Sequence, residues 1–351
     1  MSKASDLEQA QSLVRDVILA QNNVYIKELL REKKIAVKAS ATKAELAKLL
    51  TAAVDDGTIT LPKLTDWIDE TEGWGDEHIY LFNVPKSVCS DSLWTKKEHV
   101  QEHVRGMKKL SKLWAADTSV EYPEERTLTG IHYDDQEREL TCVWHQGTSF
   151  LQRAKEKDFD RAEEDGEHYY YHAYRDAPRR NVARVVFRPR AALAAIFLPG
   201  ASEPKQHAEE CESMVNEIKE VFHCDRKRIC SMADAIKALD AQANTSQGAR
   251  RLQARNTRLN TKDGGAYVEF ASDTKQGYAG FDPVRKVRKA VAADEFVGAG
   301  ATFHFTLPSI ADKERDARVN LYGDFHRIRM WIHLTRADVW AILGTIRGAL
   351  P

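Results

Sequence analysis

The hydrophobic residues of this chain repeat at three and four positions up to about residue 115 and at two positions from about Arg126. That switch constrains the fold most, because the first period belongs to helices that bury one stripe and the second to strands that bury one face. In the first part Leu7, Ala10, Leu13, Val14, Val17 and Ile18 form the stripe of one helix. A second, shorter helix carries Ile26, Leu29 and Leu30, and Thr42 with Glu45 three residues later forms a capping box ahead of Leu46, Leu49 and Leu50. Leu61-Pro62 begins a short helix through Trp67 and Ile68. Gly73-Trp74-Gly75 is a turn ahead of a buried strand at Ile79-Tyr80-Leu81-Phe82, and a helical stretch from about Ser92 to Trp114 turns Val100, Val104, Met107 and Trp114 to a core.

After the switch, residues 127–133 and 140–144 alternate around Asp134-Asp135-Gln136 as a hairpin. Strands follow at 169–174, 182–188 and 192–197, then an amphipathic helix with Cys211, Met214, Val215, Ile218 and Phe222, and a shorter helix from Ser231. The last part places strands near 267–270, 302–307, 319–322 and 328–334, and a closing helix capped by Thr335 with Asp338. Runs of strands followed by helices predict an α+β fold, an antiparallel sheet with helices, rather than alternating α/β. The expected organisation is a helical module over 1–57, a mostly helical connector over 58–120 and a body over 121–351 that divides at about residue 245.

Lys and Arg number 52 against 53 Asp and Glu, so no global positive charge draws the chain to a polyanion and any such affinity must come from local patches. Cys89, Cys142, Cys211, Cys224 and Cys230 contain no C-x-x-C pair and read as reduced, mostly buried thiols. The start lacks a hydrophobic signal core and no stretch is apolar enough to cross a bilayer, so the expected compartment is the cytoplasm, with no membrane partner.

Ile26-Lys27-Glu28-Leu29-Leu30, Lys34-Ile35 and the run from Thr42 through Lys43-Ala44-Glu45-Leu46-Ala47-Lys48-Leu49-Leu50 resemble the SAP motif, a small DNA-binding helix-loop-helix module, over about residues 24–53. Lys34 stands where that motif usually has glycine, and the loop is longer. The resemblance implies DNA contact through Lys38, Ser40, Lys43 and the backbone N–H groups that open the Thr42 helix.

Basic clusters carry the rest of this reading. Period two places Arg180, Arg184 and Arg188 on one strand face, expected to be exposed, with Arg179 beside them and Tyr170, His172 and Tyr174 sharing a face of the preceding strand. Guanidinium groups neutralise phosphates and flat rings stack on bases. Arg226 to Arg228, then Arg250, Arg251, Arg255 and Arg258, then Arg285 to Lys289 could lengthen the positive track; the competing reading pairs the arginines with acidic segments such as 158–167.

Two other constellations invite chemistry. His304 with Thr306 and His333 with Thr335 are His-x-Thr triplets similar to those of two-histidine phosphoesterases, although Thr335 already has a role as helix cap. His99-Val100-Gln101-Glu102-His103 matches the H-x-x-E-H string of zinc proteases, but Lys96, Lys97 and Arg105 flank it, and no metal or cofactor is expected. Gly298-Ala299-Gly300 is too short for a phosphate loop. The expectation is a nucleic-acid-binding accessory protein, DNA first, without catalytic activity of its own; the alternatives are a phosphoesterase or nuclease and an oligomeric protein-protein scaffold.

Overall fold

A computed structural model describes residues 3–21, 23–74, 77–116, 123–153, 157, 159–164, 167–199, 204–221, 229–243, 251–272, 281–291, 296–310, 313–331 and 334–350. The chain forms two compact units: residues 1–71, 116–130 and 144–182 make the first, and residues 72–115, 131–143 and 183–351 the second. The fold is α+β, as the change of period predicts.

In the first unit α1 (Lys3–Asp16), α2 (Asn23–Glu32), α3 (Lys43–Asp55) and α4 (Leu61–Gly73) close around Leu13, Val17, Ile26, Leu30, Leu46, Leu50, Leu64 and Ile68. Ile59, Trp67 and Ile68 on and before α4 pack with the other three helices. α3 starts on the predicted capping box: the Glu45 backbone N–H donates to the Thr42 hydroxyl at 3.3 Å, and the Thr42 N–H donates to the Glu45 carboxylate at 2.7 Å. α2 stops on a left-handed residue, Lys34 at φ +60°, with the Ile35 N–H bonded to the Leu30 carbonyl and the Lys34 N–H to that of Arg31. This double bond pattern closes a helix around a residue that is usually glycine.

The second unit opens with β1 (Glu77–Asn83), α5 (Lys86–Cys89) and α6 (Lys97–Gly106). Then come β2 (Thr127–Asp134), β3 (Glu139–Arg153), β4 (Phe159–Glu164), β5 (Glu167–Tyr171), β6 (Tyr174–Arg188) and β7 (Leu193–Pro199), of which β4 and β5 belong wholly to the first unit and β2, β3 and β6 belong partly to each. The chain continues with α7 (Pro204–Ile218), α8 (Met232–Ala243), β8 (Leu252–Thr261), β9 (Tyr267–Ala271), α9 (Asp282–Val291), β10 (Phe296–Ile310), β11 (Lys313–Tyr322), β12 (Arg327–Met330) and α10 (Arg336–Gly348). Ten strands form one antiparallel sheet in the order β2-β3-β6-β7-β1-β12-β11-β10-β8-β9, while β4 and β5 pair separately.

β1 connects strands from before and after residue 245. It pairs with β7 along its whole length and with β12 through Glu77 to Ile79, joining the halves into one sheet. Six of its seven residues are buried, as a central strand covered on both faces requires. One sheet face, with Ile79, Leu81, Phe197, Phe303, Val319 and Ile328, is packed by Met232, Ile236 and Leu239 of α8 and Val339, Ile342 and Ile346 of α10. Gly298 lets α8 sit directly on the sheet: a Cβ there would lie 2.6 Å from the Ala233 carbonyl oxygen. Thr335 caps α10 with Asp338, as the sequence predicts.

Cys142, Cys211 and Cys230 are buried thiols and Cys89 is half-buried, while Cys224 lies outside the described residues. Burial pushes the Cys230 thiol up to about 11. Among the described residues no helix is long and apolar enough to cross a membrane.

Candidate nucleic-acid interface

The arginines expected to share an exposed face are not exposed. Arg180 and Arg184 are buried at 7% and 6% exposure, and the Arg188 side chain is 18% exposed. Alternation on β6 implies a wet face only if one side is uncovered, but Val182, Val186, Ala183, Val185 and Phe187 are all buried, so both faces are packed. The guanidiniums are accommodated by rings and carboxylates. Arg184 lies over Trp74 at 5.8 Å and Arg188 over Trp340 at 3.9 Å. Arg188 also donates to Glu139, whose other oxygen takes Arg336 at 2.7 Å. This network holds a hairpin and the closing helix together and leaves Arg184 and Arg188 little surface for a ligand.

The remaining expected contacts divide. Tyr170, His172 and Tyr174 are exposed, as are Lys38 and Ser40, and Arg179 lies on β6 with its side chain outside the description. Lys43 instead turns inward: its ammonium donates to the Gln21 carbonyl, and burial pulls it below the usual lysine range.

Neither catalytic constellation forms a site among the described residues. His304 donates its Nδ1–H to the Asp316 carboxylate at 2.8 Å, Thr306 is exposed on the same strand, and Thr335 caps α10; His333 lies outside the described residues. His99 and His103 on α6 bond separate backbone carbonyls, those of Ser92 and Val221. No group of three metal-ligating residues occurs among those described.

A different surface collects cations and rings. On β12, Ile328 and Met330 face the core, so Arg327 and Arg329 take the opposite side; on β11, Val319 and Leu321 do the same for Arg318, Asn320 and Tyr322. The register sets Asn320 against Arg329, Tyr322 against Arg327, His304 against Arg318 and Gly300 against Arg258, so these residues form rows across β12-β11-β10-β8. Arg258 stacks on Tyr267 of β9 at 4.3 Å, Arg327 on Tyr322 at 4.3 Å, and Arg329 and Arg318 share the Trp331 ring at 4.3 and 5.8 Å. Tyr267 and Trp331 are 61% and 45% exposed. Between them Thr302 donates to Asn320, which donates to the Tyr322 hydroxyl.

The charge of this face is unbalanced. Glu269 bonds Asn256 and Asp316 bonds His304, whereas Arg258, Arg318 and Arg327 have no carboxylate within ion-pair reach among the described residues. At its β1 end the face runs under α7, where His207 stacks on His78 at 4.3 Å and approaches Arg327 at 3.5 Å. His78 accepts from Arg329; burial first, then Arg329, His207 and Arg327, hold its pKa down to about 3, so it is neutral. From β11 to β9 no described helix is seen packed on this face; α8 and α10 pack on the other one.

The missed residues carried a readable signal. Arg318-Val319-Asn320-Leu321-Tyr322 and Arg327-Ile328-Arg329-Met330-Trp331 alternate apolar residues with arginine, amide and ring, the pattern of a strand whose open face is built for polar and stacking contacts. Searches with family models and among curated proteins found no match to the chain.

Proposed function

We propose that this protein binds single-stranded nucleic acid across the open face of β12-β11-β10-β8-β9, as an accessory protein without catalysis of its own. The observation that carries the reading is the pair of exposed arginines, Arg258 stacked on Tyr267 and Arg318 beside Trp331, which have no carboxylate partner among the described residues. Guanidiniums take phosphates, and a ring held flat by a cation keeps its other surface for a base. A strand laid on the face meets Tyr267 at one end and Trp331 at the other, with Thr302 and Asn320 between as hydrogen-bonding groups. A flat sheet face suits splayed single strands better than a duplex whose bases are already stacked. The SAP-like module is a second contact surface in this reading, through Lys38 and Ser40 beside the α3 N-terminus.

Fluorescence anisotropy with labelled single-stranded DNA, single-stranded RNA and duplex of equal length, over a salt series, tests it. The parent should prefer single strands, and affinity should fall with salt at a slope of about 0.7 per phosphate contact. Trp331→Ala should cost about 1–3 kcal/mol of binding. Arg258→Ala with Arg318→Ala should flatten the salt slope by about 1.4 if each holds one phosphate. Lys38→Glu should weaken DNA binding with the sheet face intact. Binding indifferent to salt, or equal in the parent and the Arg258, Arg318 and Trp331 variants, would sink the proposal.

A further inference from the structure

The open face ends against a helix. Where α7 lies over β1 and β12, His207 in its first turn is fully buried, its ring 4.3 Å from that of His78 and its Nδ1 3.5 Å from the Arg327 guanidinium. Two imidazoles and two guanidiniums, His78, His207, Arg327 and Arg329, meet there. Arg329 donates to Nε2 of His78, so the neutral imidazole carries its proton on Nδ1, and that buried N–H makes no hydrogen bond among the described residues. The Nε–H of Arg327 is buried and unbonded in the same way, with the guanidinium 4.3 Å from Tyr322 and 5.7 Å from Phe325. His207 touches both residues, so the two donors lie around one ring. A buried donor left unpaired costs about 1–3 kcal/mol, and a ligand that accepts from both removes that cost.

The chemistry and the position of these groups select the ligand. After burial, the charges that hold the His78 pKa down are those of Arg329, His207 and Arg327. Glu77, next to His78 on β1, shares the other sheet face with Ile79, and Glu210, one turn along α7 from His207, makes no ion pair with Arg327. A tetrahedral anion suits such a set, because its oxygens accept from guanidinium and imidazole N–H groups together. From β11 to β9 a nucleic-acid strand runs on with its internal phosphates beside Arg258 and Arg318, whereas under α7 the surface is closed and the strand must end. A phosphate monoester at that end carries close to two charges, where an internal diester carries one.

We infer that Arg327, His78 and His207 form a site for a terminal phosphate, so that the protein takes phosphorylated ends of single strands. The inference rests on the nucleic-acid reading above and gives that reading its substrate class.

Fluorescence anisotropy of the full chain tests it with one internally labelled single strand that bears a 5′-phosphate, a 3′-phosphate or hydroxyl ends, and with the same sequence closed into a circle. One of the phosphorylated strands should bind at least tenfold more tightly than the hydroxyl-ended strand and the circle. Arg327→Met should bring it to the level of the hydroxyl-ended strand, while Arg258→Ala with Arg318→Ala should weaken all four and keep the ratio. Inorganic phosphate should compete away the advantage of the phosphorylated end. The comparison of strands on the parent uses no variant, so it decides the matter even where Arg327→Met disturbs folding. Equal affinity for all four strands overturns the site, and so does an advantage that survives in folded Arg327→Met. Inorganic phosphate that raises the melting temperature of a parent blind to strand ends would mean an adventitious ion only, and overturns it too. The hydroxyl-ended strand reports the open face by itself, so the site and the nucleic-acid reading fail separately.

Discussion

Arg188 places its guanidinium 3.9 Å from the centre of the Trp340 ring, and the same group donates to Glu139, whose side chain is 2% exposed. A strand arginine is thus an internal strut, linking β6 to the hairpin carboxylate and to α10. Removing it leaves Glu139 buried with only Arg336 to balance it. Arg188→Ala should therefore destabilise the protein by about 2–4 kcal/mol, seen as a lower urea midpoint. Arg188→Lys should recover only part of this, since an ammonium keeps the charge but loses the planar stack. Arg190→Ala, at an exposed position, should stay within about ±0.5 kcal/mol. Equal effects at the two positions would contradict the strut.

Acid should loosen the α7 side of the sheet. The unfolded chain protonates His78 near the ordinary histidine value of 6.5, whereas the folded protein, with His207, Arg327 and Arg329 around the ring, resists until about 3. Between those values the unfolded state binds more protons, so stability is fully present above pH 6.5 and declines as pH falls toward 3. Chemical denaturation across that range checks the sign. His78→Gln should make the decline shallower, and an unchanged slope would remove His78 as its cause.

Lys34 closes α2 in the left-handed region that glycine occupies at least cost. Lys34→Gly should stabilise the helical module by about 0.5–1 kcal/mol, the relief of backbone strain exceeding the added freedom of the unfolded chain. Thermal unfolding followed by circular dichroism measures it. A lower melting temperature would mean that the lysine side chain contributes more than its backbone costs.

Gly298 and Gly323 sit where α8 meets the sheet, and a Cβ on Gly323 would overlap the Gly298 carbonyl oxygen. Gly298→Ala should cost about 1–3 kcal/mol, set by the Ala233 carbonyl and the Ile236 Cβ, and Gly323→Ala more, since there the obstructing atoms are all backbone and cannot rotate away. Gly344→Ala on α10, with open space around it, should be neutral or stabilising. A fluorescence-monitored denaturant series across the three variants distinguishes contact from composition.

The sequence by itself determined the local elements whose signals are chemical and near in the chain. The Thr42 and Thr335 capping boxes, the α1 and α7 stripes, the buried β1 strand and the hairpin at Asp134 were all legible, because each is set by residues within one or two turns of each other. β8 and α9 were not, since bulges break the β8 alternation and α9 reads first as a run of charge. Tertiary structure alone decided which side of each strand meets water. Arg180, Arg184 and Arg188 alternate as an exposed face would, yet β6 lies inside a sheet packed on both sides, where Trp74 meets Arg184, and Trp340 and the buried Glu139 compensate Arg188. Arg318, Arg327 and Arg329 have the same local pattern and line the other sheet half, which no described helix covers on that side, beyond the part that runs under α7. Period two fixes that alternate side chains share a face; only the order of strands and the placement of helices from elsewhere in the chain fix which face is dry.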